Sequence, residues 1–247
     1  MIYKTIAPFY DYLMNHVKYS EWINLIDYIV KKYSFDKNTS IFEIGGGTGN
    51  LGILLKKKGY FYYGSDISFN MTIQAKKKEL FFFCADACFL PVKKKFDLII
   101  FLYDGINYLQ NLNDYKRVLL SVSSCLNKNG LFLFDITTES NSYKYFYNFI
   151  DYQEYEGTSI IRHSYYKKHK ALQINDFIIF SPDQNKKRHF IKEYEHHSQK
   201  IFKPEQIINV IPKNIYNCIG VFDGFSMNNY NNNSERIHFL LQKKSVL

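Results

Sequence analysis

The sequence predicts an α/β fold: a parallel sheet covered by helices, with an antiparallel β insertion. Three observations predict it. Short apolar runs alternate with amphipathic helical segments between residues 41 and 136. A glycine-rich turn, Gly45-Gly46-Gly47-Thr48-Gly49, joins the first run to the helix after it. After residue 140 the rhythm changes, and β-rich stretches follow one another without helices between them. A chain of 247 residues has room for one such domain and its insertion.

Residues 9–34 read as one helix, because Trp22, Leu25, Ile26, Ile29 and Val30 recur at steps of three and four and form one apolar stripe. Residues 36–40 are a turn. Ile41 to Ile44 is a short first strand, and residues 49–58 form the helix that Gly59 stops. Tyr60 to Ser65 is the second strand, 69–79 a helix capped by Ser68, and Leu80 to Cys84 the third strand. Phe96 to Leu102 is apolar enough to be buried on both faces, as a central parallel strand requires. Residues 113–127 form an amphipathic helix closed by Asn129-Gly130, and Leu131 to Ile136 is the fifth strand. Residues 158–166, 171–180 and 187–200 read as antiparallel strands. A helix at about 204–211, with Pro204 in its first turn, precedes two last strands near 215–222 and 236–242. The expected division is therefore 1–139 for the N-terminal helical stretch and the parallel core, 140–203 for a β-rich insertion, and 204–247 for the helix and strands that complete the core sheet.

Composition narrows the class. Hydrophobic residues make up 46% and charged residues 22%, an ordinary globular balance that excludes disorder. The formal charge of +9 invites a nucleic-acid reading, but the only arginines among the 32 basic residues are Arg117, Arg162, Arg188 and Arg236. The charge is spread evenly, and Lys56-Lys57-Lys58, Lys76-Lys77-Lys78 and Lys93-Lys94-Lys95 read as helix ends or turns. Cys84, Cys88, Cys125 and Cys218 lack metal-ligand spacing and read as reduced, buried thiols of a cytoplasmic protein; no metal site is expected. The first residues carry no apolar signal core, and no stretch is long enough to span a membrane.

Glycines after a strand let a ligand approach the backbone, and the following helix start offers free N–H groups. A dinucleotide is one candidate: Gly47, Gly49 and Gly52 fit its spacing, with Asp66 further on, but the turn itself begins at Gly45. S-adenosyl-L-methionine is the other. Glu43-x-Gly45-x-Gly47-x-Gly49 places a carboxylate where a sulfonium amino acid is welcome and a pyrophosphate is repelled.

These motifs resemble those of class I S-adenosylmethionine-dependent methyltransferases over nearly the whole chain. The resemblance implies a Rossmann-like fold with a seven-stranded, mainly parallel sheet. Gly64-Ser65-Asp66-Ile67-Ser68 with Met71 is similar to the acidic motif after strand two, which implies that Asp66 takes the ribose hydroxyls and Ile67 packs on adenine. Cys84-Ala85-Asp86-Ala87-Cys88 resembles the motif whose Asp86 and Ala87 read the adenine edge. Phe101, Leu102, Tyr103 and Asp104 should line the cleft near the methyl donor, and Gly46 and Asn50 complete the glycine turn. Asn107-Tyr108-Leu109 is similar to a subgroup of small bacterial methyltransferase-domain proteins. Glu195-His196-His197-Ser198-Gln199-Lys200-Ile201-Phe202 resembles that subgroup's Glu-x-His-x-Gln-Arg-x-Tyr segment, with Lys200 and Phe202 departing from it. The N-terminal Ala7 to Met14 stretch resembles a helical cover, and Tyr10 and Trp22 are the expected contacts of the methionine end.

Methyl transfer from a sulfonium needs orientation above all, and a base only when the nucleophile carries a proton. His197, Tyr103 and Asp104 are the catalytic candidates. Strand alternation lets only one of His196 and His197 enter a cleft, and the family pattern favours His197. The insertion is the expected lid, and its aromatics, among them Tyr143, Tyr145, Phe146, Tyr147, Tyr152, Tyr155, Tyr165 and Tyr166, suggest aromatic walls around a small-molecule acceptor. A tRNA or rRNA acceptor, and a non-catalytic S-adenosylmethionine-binding interaction protein, stand as alternatives. The acceptor atom and the oligomeric state are not legible in the sequence.

Overall fold

The computed structural model describes residues 2–36 and 38–245. Its first layer is a seven-stranded sheet of order β10-β11-β5-β4-β1-β2-β3. The strands are β1 (Ser40–Ile44), β2 (Phe61–Asp66), β3 (Phe82–Cys84), β4 (Phe96–Phe101), β5 (Leu126–Thr137), β10 (Tyr216–Asp223) and β11 (Arg236–Lys243). β1 to β5 are parallel, and β11 runs antiparallel to β5 and β10. Successive residues of the central strands enter opposite cores: Phe42 and Ile99 pack with helices α5 (Leu112–Cys125) and α7 (Pro204–Val210), whereas Ile41, Leu98 and Ile100 pack with α2 (Tyr19–Lys32) and α3 (Asn50–Lys57). Burial on both faces explains why β4 is apolar throughout.

Chain order reverses beside β1, which is flanked by β2 and β4. A crevice opens there, beyond the carboxyl ends of the parallel strands. Over it lies a second, four-stranded antiparallel sheet of order β6-β7-β8-β9: β6 (Asn148–Tyr155), β7 (Thr158–Lys167), β8 (Leu172–Pro182) and β9 (Phe190–Lys200). Register places Phe149, Asp151 and Gln153 of β6, Ile160, Arg162 and Ser164 of β7, Gln173, Asn175 and Phe177 of β8, and Glu195, His197 and Gln199 of β9 on one face. That face looks toward the core. We call this sheet the lid and the strand ends opposite it the floor.

Several expectations are revised. The helix expected over 9–34 is two: α1 (Tyr10–Leu13), then a break, then α2. The apolar stripe itself begins only at Trp22, so nothing in the pattern bridged the break. The lid has four strands rather than three, and α6 (Glu139–Phe146) leads into β6. β6 went unread because its outward residues are also apolar: Ile150 and Tyr152 are exposed, which blurs the alternation. The lid's inner face is largely polar, and Tyr147 and Tyr152 point to solvent rather than walling the cavity. Of the four cysteines, all free, only Cys125 is buried; Cys84 and Cys218 are exposed. Lys56, Lys57, Lys76 and Lys77 do end helices α3 and α4 (Phe69–Lys77), and Ser68 caps α4 by accepting from the Met71 N–H at 3.3 Å. No helix among the described residues is long and apolar enough to cross a membrane.

Candidate active site

A cavity of about 960 Å³ lies between floor and lid, beyond β1, β2 and β4. The floor contributes Gly45, Gly47, Asp66, Ile67, Met71, Asp86, Ala87, Phe101, Leu102, Tyr103 and Asp104, and Tyr10 comes from the N-terminal cover. Gly45 sits at φ +64°, where a Cβ would meet the Phe101 ring at 2.7 Å, so both conformation and space demand glycine. Gly47 sits at φ +57° with its open side toward Tyr10.

Main-chain groups fix the floor's carboxylates. Asp66 Oδ2 accepts from the Gly47 N–H at 2.9 Å, and Oδ1 from the Ser68 N–H at 2.8 Å. Each oxygen keeps a further lone pair for a ligand hydroxyl. Burial pushes the Asp66 carboxyl up to about 6, against the opposing pull of these amides. Asp86 accepts from the Cys88 N–H at 2.8 Å. Ile67 is 56% exposed beside it, an apolar surface open to the cavity.

Beyond β4 the chain makes an unusual turn. Tyr103 and Asp104 both take left-handed conformations, at φ +59° and +50°. Asp135, fully buried on β5, holds that turn: its oxygens accept from the Tyr103 N–H at 3.0 Å and the Asp104 N–H at 2.6 Å. The same carboxylate takes Trp22 Nε1–H at 3.1 Å and Arg236 Nη1–H at 2.9 Å. Burial opposes its ionisation, but the Arg236 charge, with the Asp104 N–H and the Trp22 N–H, outweighs burial and holds the carboxyl below its ordinary value. Arg236 also donates to Asp104 at 2.7 Å, and Gln199 of the lid donates to the other Asp104 oxygen at 2.6 Å. Asp104 therefore clasps floor to lid. Burial raises its carboxyl, partly offset by Arg236.

His197 is buried and faces the cavity, while the His196 ring turns outward to Asp176. Both His197 nitrogens are engaged: Nε2 lies 3.0 Å from Glu195 Oε1, and Nδ1 lies 3.0 Å from the Tyr108 hydroxyl. The Tyr108 hydroxyl is 2.7 Å from that of Tyr3. Glu195 also accepts from the N–H groups of Lys4, Thr5 and Ile6 at 3.1, 2.8 and 3.1 Å. Burial works against the Glu195 charge, but His197 and these amides prevail and lower its pKa. An anionic Glu195 can only accept, so His197 Nε2 carries a proton, and in the neutral ring Nδ1 accepts from Tyr108. Burial lifts both tyrosine hydroxyls well above their ordinary pKa, so they stay protonated.

Other expected site residues stand behind the wall. Glu43 is buried against the Tyr62 hydroxyl, and burial raises it to about 7 despite that bond. Gly46 faces Glu43 and Phe82, and Gly49 faces Leu80 and Ala75. Asn50 bonds Asp11 and Lys78. Trp22, expected at the methionine end, instead buries its ring beneath Tyr103 and Phe225 and spends its N–H on Asp135, so it supports the turn rather than lining the cavity. Tyr3, Arg162 and Arg236 were not among the expected site residues, and Glu195 was marked only as the head of the segment that holds His197. The roles of Tyr3, Arg162 and Arg236 arise from contacts made by the docking of distant elements.

A family model described as a methyltransferase domain matches residues 14–175. A Bacillus subtilis (strain 168) protein named as a methyltransferase, YqeM, is 26% identical over 100% of this chain and 99% of its own length. A Geobacillus (strain WCH70) protein, also named as a methyltransferase, is 30% identical over 55% of this chain, and the match spans 58% of that relative's length. Among solved structures, an S-adenosylmethionine-dependent methyltransferase from Clostridium acetobutylicum ATCC 824 aligns with a TM-score of 0.80 at 23% identity, covering 98% of this chain and 99% of that one.

Proposed function

The chain belongs to the methyltransferase-domain family, as a class I S-adenosylmethionine-dependent methyltransferase, and from that premise we propose that it methylates a nitrogen or oxygen of a small-molecule acceptor held between floor and lid. When bound, S-adenosylmethionine supplies a methyl group already activated on a sulfonium, whose departure leaves a neutral thioether. The floor fits that cofactor: a fixed carboxylate for two ribose hydroxyls at Asp66, an apolar bed at Ile67 and Ala87 beside Asp86, and an open glycine turn at Gly47 below Tyr10. Glu43, Gly46, Gly49 and Asn50 shape that turn from behind, and Trp22 supports the Tyr103–Asp104 turn beyond β4.

The chain's own work is then to orient, exclude water and take up a proton. Orientation and desolvation carry most of the barrier reduction in a reaction of this type. Tyr103 and Asp104 shape the wall between donor and acceptor. A nucleophile that loses a proton delivers it to the tyrosine oxygens, and the Tyr108 proton moves to His197 Nδ1. The resulting imidazolium faces the Glu195 carboxylate, which needs no rearrangement to stabilise it.

The observation that carries this reading is the cavity of about 960 Å³ between floor and lid, with Asp66 and the His197–Tyr108 pair on its walls. That volume lies at the upper end of small-molecule sites, about 300–1,000 Å³. A polynucleotide acceptor would call for an open basic track. The test is to incubate the protein with methyl-labelled S-adenosylmethionine and a bacterial extract. Label is expected in the dialysable fraction; label confined to RNA or protein would overturn the acceptor class.

A further inference from the structure

We infer that the lid half of the cavity binds an anionic group of the methyl acceptor, a carboxylate or a phosphate, and that Arg162 holds it. This deepens the small-molecule reading and rests on it.

Arg162 lies on β7 between Ile160 and Ser164 on the inner face, opposite Phe177 of β8. A guanidinium carries five N–H donors. Its only ion pair among the described residues, through Nη2 to Asp151 Oδ2, is long at 3.4 Å, and that same oxygen already accepts from Gln153 at 2.8 Å. Arg162 Nε is buried and has no hydrogen-bond partner among the described residues. Buried donors in native proteins are almost always satisfied, so an unpaired one beside a cavity asks for a ligand atom. The ring of Phe149 lies 5.8 Å from the guanidinium carbon, as a cation–π neighbour.

The other cations on the cavity wall are already engaged. Arg236 is shared by Asp104 and Asp135, and Lys144 pairs with Glu235. Charge is also segregated across the cavity. Among the described residues its lining carboxylates are Asp66, Asp86 and Asp104, all from the floor, while Asp151 and Glu195 on the lid's inner face stand behind the wall, against Arg162 and His197. An acceptor with an anionic end is therefore repelled by the donor half and drawn to the lid, which points its other end toward the donor. Asn175, across the strand pair from Ser164, accepts from Ser164 Oγ at 2.6 Å, which leaves its amide N–H groups to serve as additional donors. The donor's own carboxylate is a second possible source of the same chemistry, and the experiment separates the two.

The chain has four arginines, so arginine-selective ¹⁵N labelling gives few side-chain signals. Protein saturated with S-adenosylhomocysteine is titrated with sodium phosphate, and separately with sodium acetate, at ionic strength held constant with chloride. We expect a saturable movement of the Arg162 Nε–H signal, assigned by its loss in Arg162→Lys, while Arg117 and Arg188 stay still. Arg162→Met should weaken anion binding by about tenfold or more, the scale of a lost charge-assisted hydrogen bond. Its S-adenosylhomocysteine affinity, measured by calorimetry, should stay within about twofold of wild type. A non-saturating response, or an equal response to chloride, overturns the proposal. So does a fall in S-adenosylhomocysteine affinity in Arg162→Met, which would assign the guanidinium to the donor's carboxylate. If the wild type does not bind S-adenosylhomocysteine, the donor reading fails instead, and the same titration of the free protein still decides Arg162.

Discussion

Floor and lid line one cavity but hold their polar side chains by different means. On the floor, Asp66, Asp86 and Asp135 are fixed by backbone N–H groups of Gly47, Ser68, Cys88, Tyr103 and Asp104. On the lid, side chains mostly hold side chains: Ser142 to Gln173, Gln173 to Gln199, Ser164 to Asn175 and Tyr108 to His197, with Glu195, which takes three main-chain N–H groups of the N-terminal cover, as the exception. A main-chain donor survives substitution of its own residue, whereas a side-chain donor does not. The floor therefore keeps one geometry for a constant ligand, and the lid can change its ligand through single replacements.

The sharpest way to break the comparison is to remove the carboxylate on which the floor turn depends. Asp135→Ala leaves Arg236 with one partner, frees two backbone amides and the Trp22 N–H, and relaxes the two left-handed residues beyond β4. Loss of one partner from a buried charged network costs about 3–5 kcal/mol. Urea unfolding followed by circular dichroism should show that loss. A loss below about 1 kcal/mol, the scale of an exposed ion pair, would mean that the turn holds itself.

On the lid the largest effect is expected on turnover, not on stability. His197→Gln keeps the ring site filled by a polar group but removes the proton acceptor. With the acceptor identified by labelling, kcat should fall about 10²-fold, the lower end for general-base catalysis. S-adenosylhomocysteine affinity should hold, and His196→Gln, on the outer face, should do neither. A bell- or step-shaped pH profile that disappears in His197→Gln separates proton transfer from packing.

Next in size is the pH dependence of the floor. Asp66 must be ionised to accept two ribose hydroxyls, and burial has raised its pKa to about 6. S-adenosylhomocysteine affinity should therefore be full above pH 6 and fall by up to about tenfold per unit as pH drops below it. Asp66→Asn should bind more weakly, by roughly 1.5–3 kcal/mol, and with no such slope. A slope that survives in Asp66→Asn would point to another group.

The same contrast explains what could be read in the sequence. Glu43 to Asn50, Asp66 and Asp86 each sit at a strand end, beside a turn whose residue types the backbone itself dictates, so a short local pattern announces them. Trp22 was misjudged because a buried indole supporting Asp135 and one stacking on a ligand leave the same mark on a helix stripe. Tyr108 and His197 lie 89 residues apart, and Glu195 meets Lys4 at a separation of 191. Such pairs are made by the docking of the lid, and alternation within one strand could say only that His196 and His197 part company. The inner face of β6 escaped for a related reason, since apolar Ile150 and Tyr152 occupy its outer side.

The smallest expected effect is the one that best sharpens the comparison. Gln173 sits in the middle of the lid's chain of amides: its Oε1 accepts from Ser142 at 2.9 Å, its Nε2 donates to Gln199 at 2.9 Å, and Gln199 passes the contact to Asp104 on the floor. Gln173→Leu is close in volume and leaves the Gln199 carbonyl oxygen without its donor. The stability cost should be about 1 kcal/mol, since one buried acceptor is left short and the leucine gains apolar burial. The freed Gln199 amide then loosens one of the two partners of Asp104, so the acceptor KM should rise a few-fold. The Asp66 side of the floor shares no hydrogen bond with this chain, so S-adenosylhomocysteine affinity should move by less than twofold, about 0.4 kcal/mol. A larger shift in donor affinity than in acceptor KM would show that Asp104 transmits the lid's packing across the cavity, and the two walls would then have to be treated as one unit.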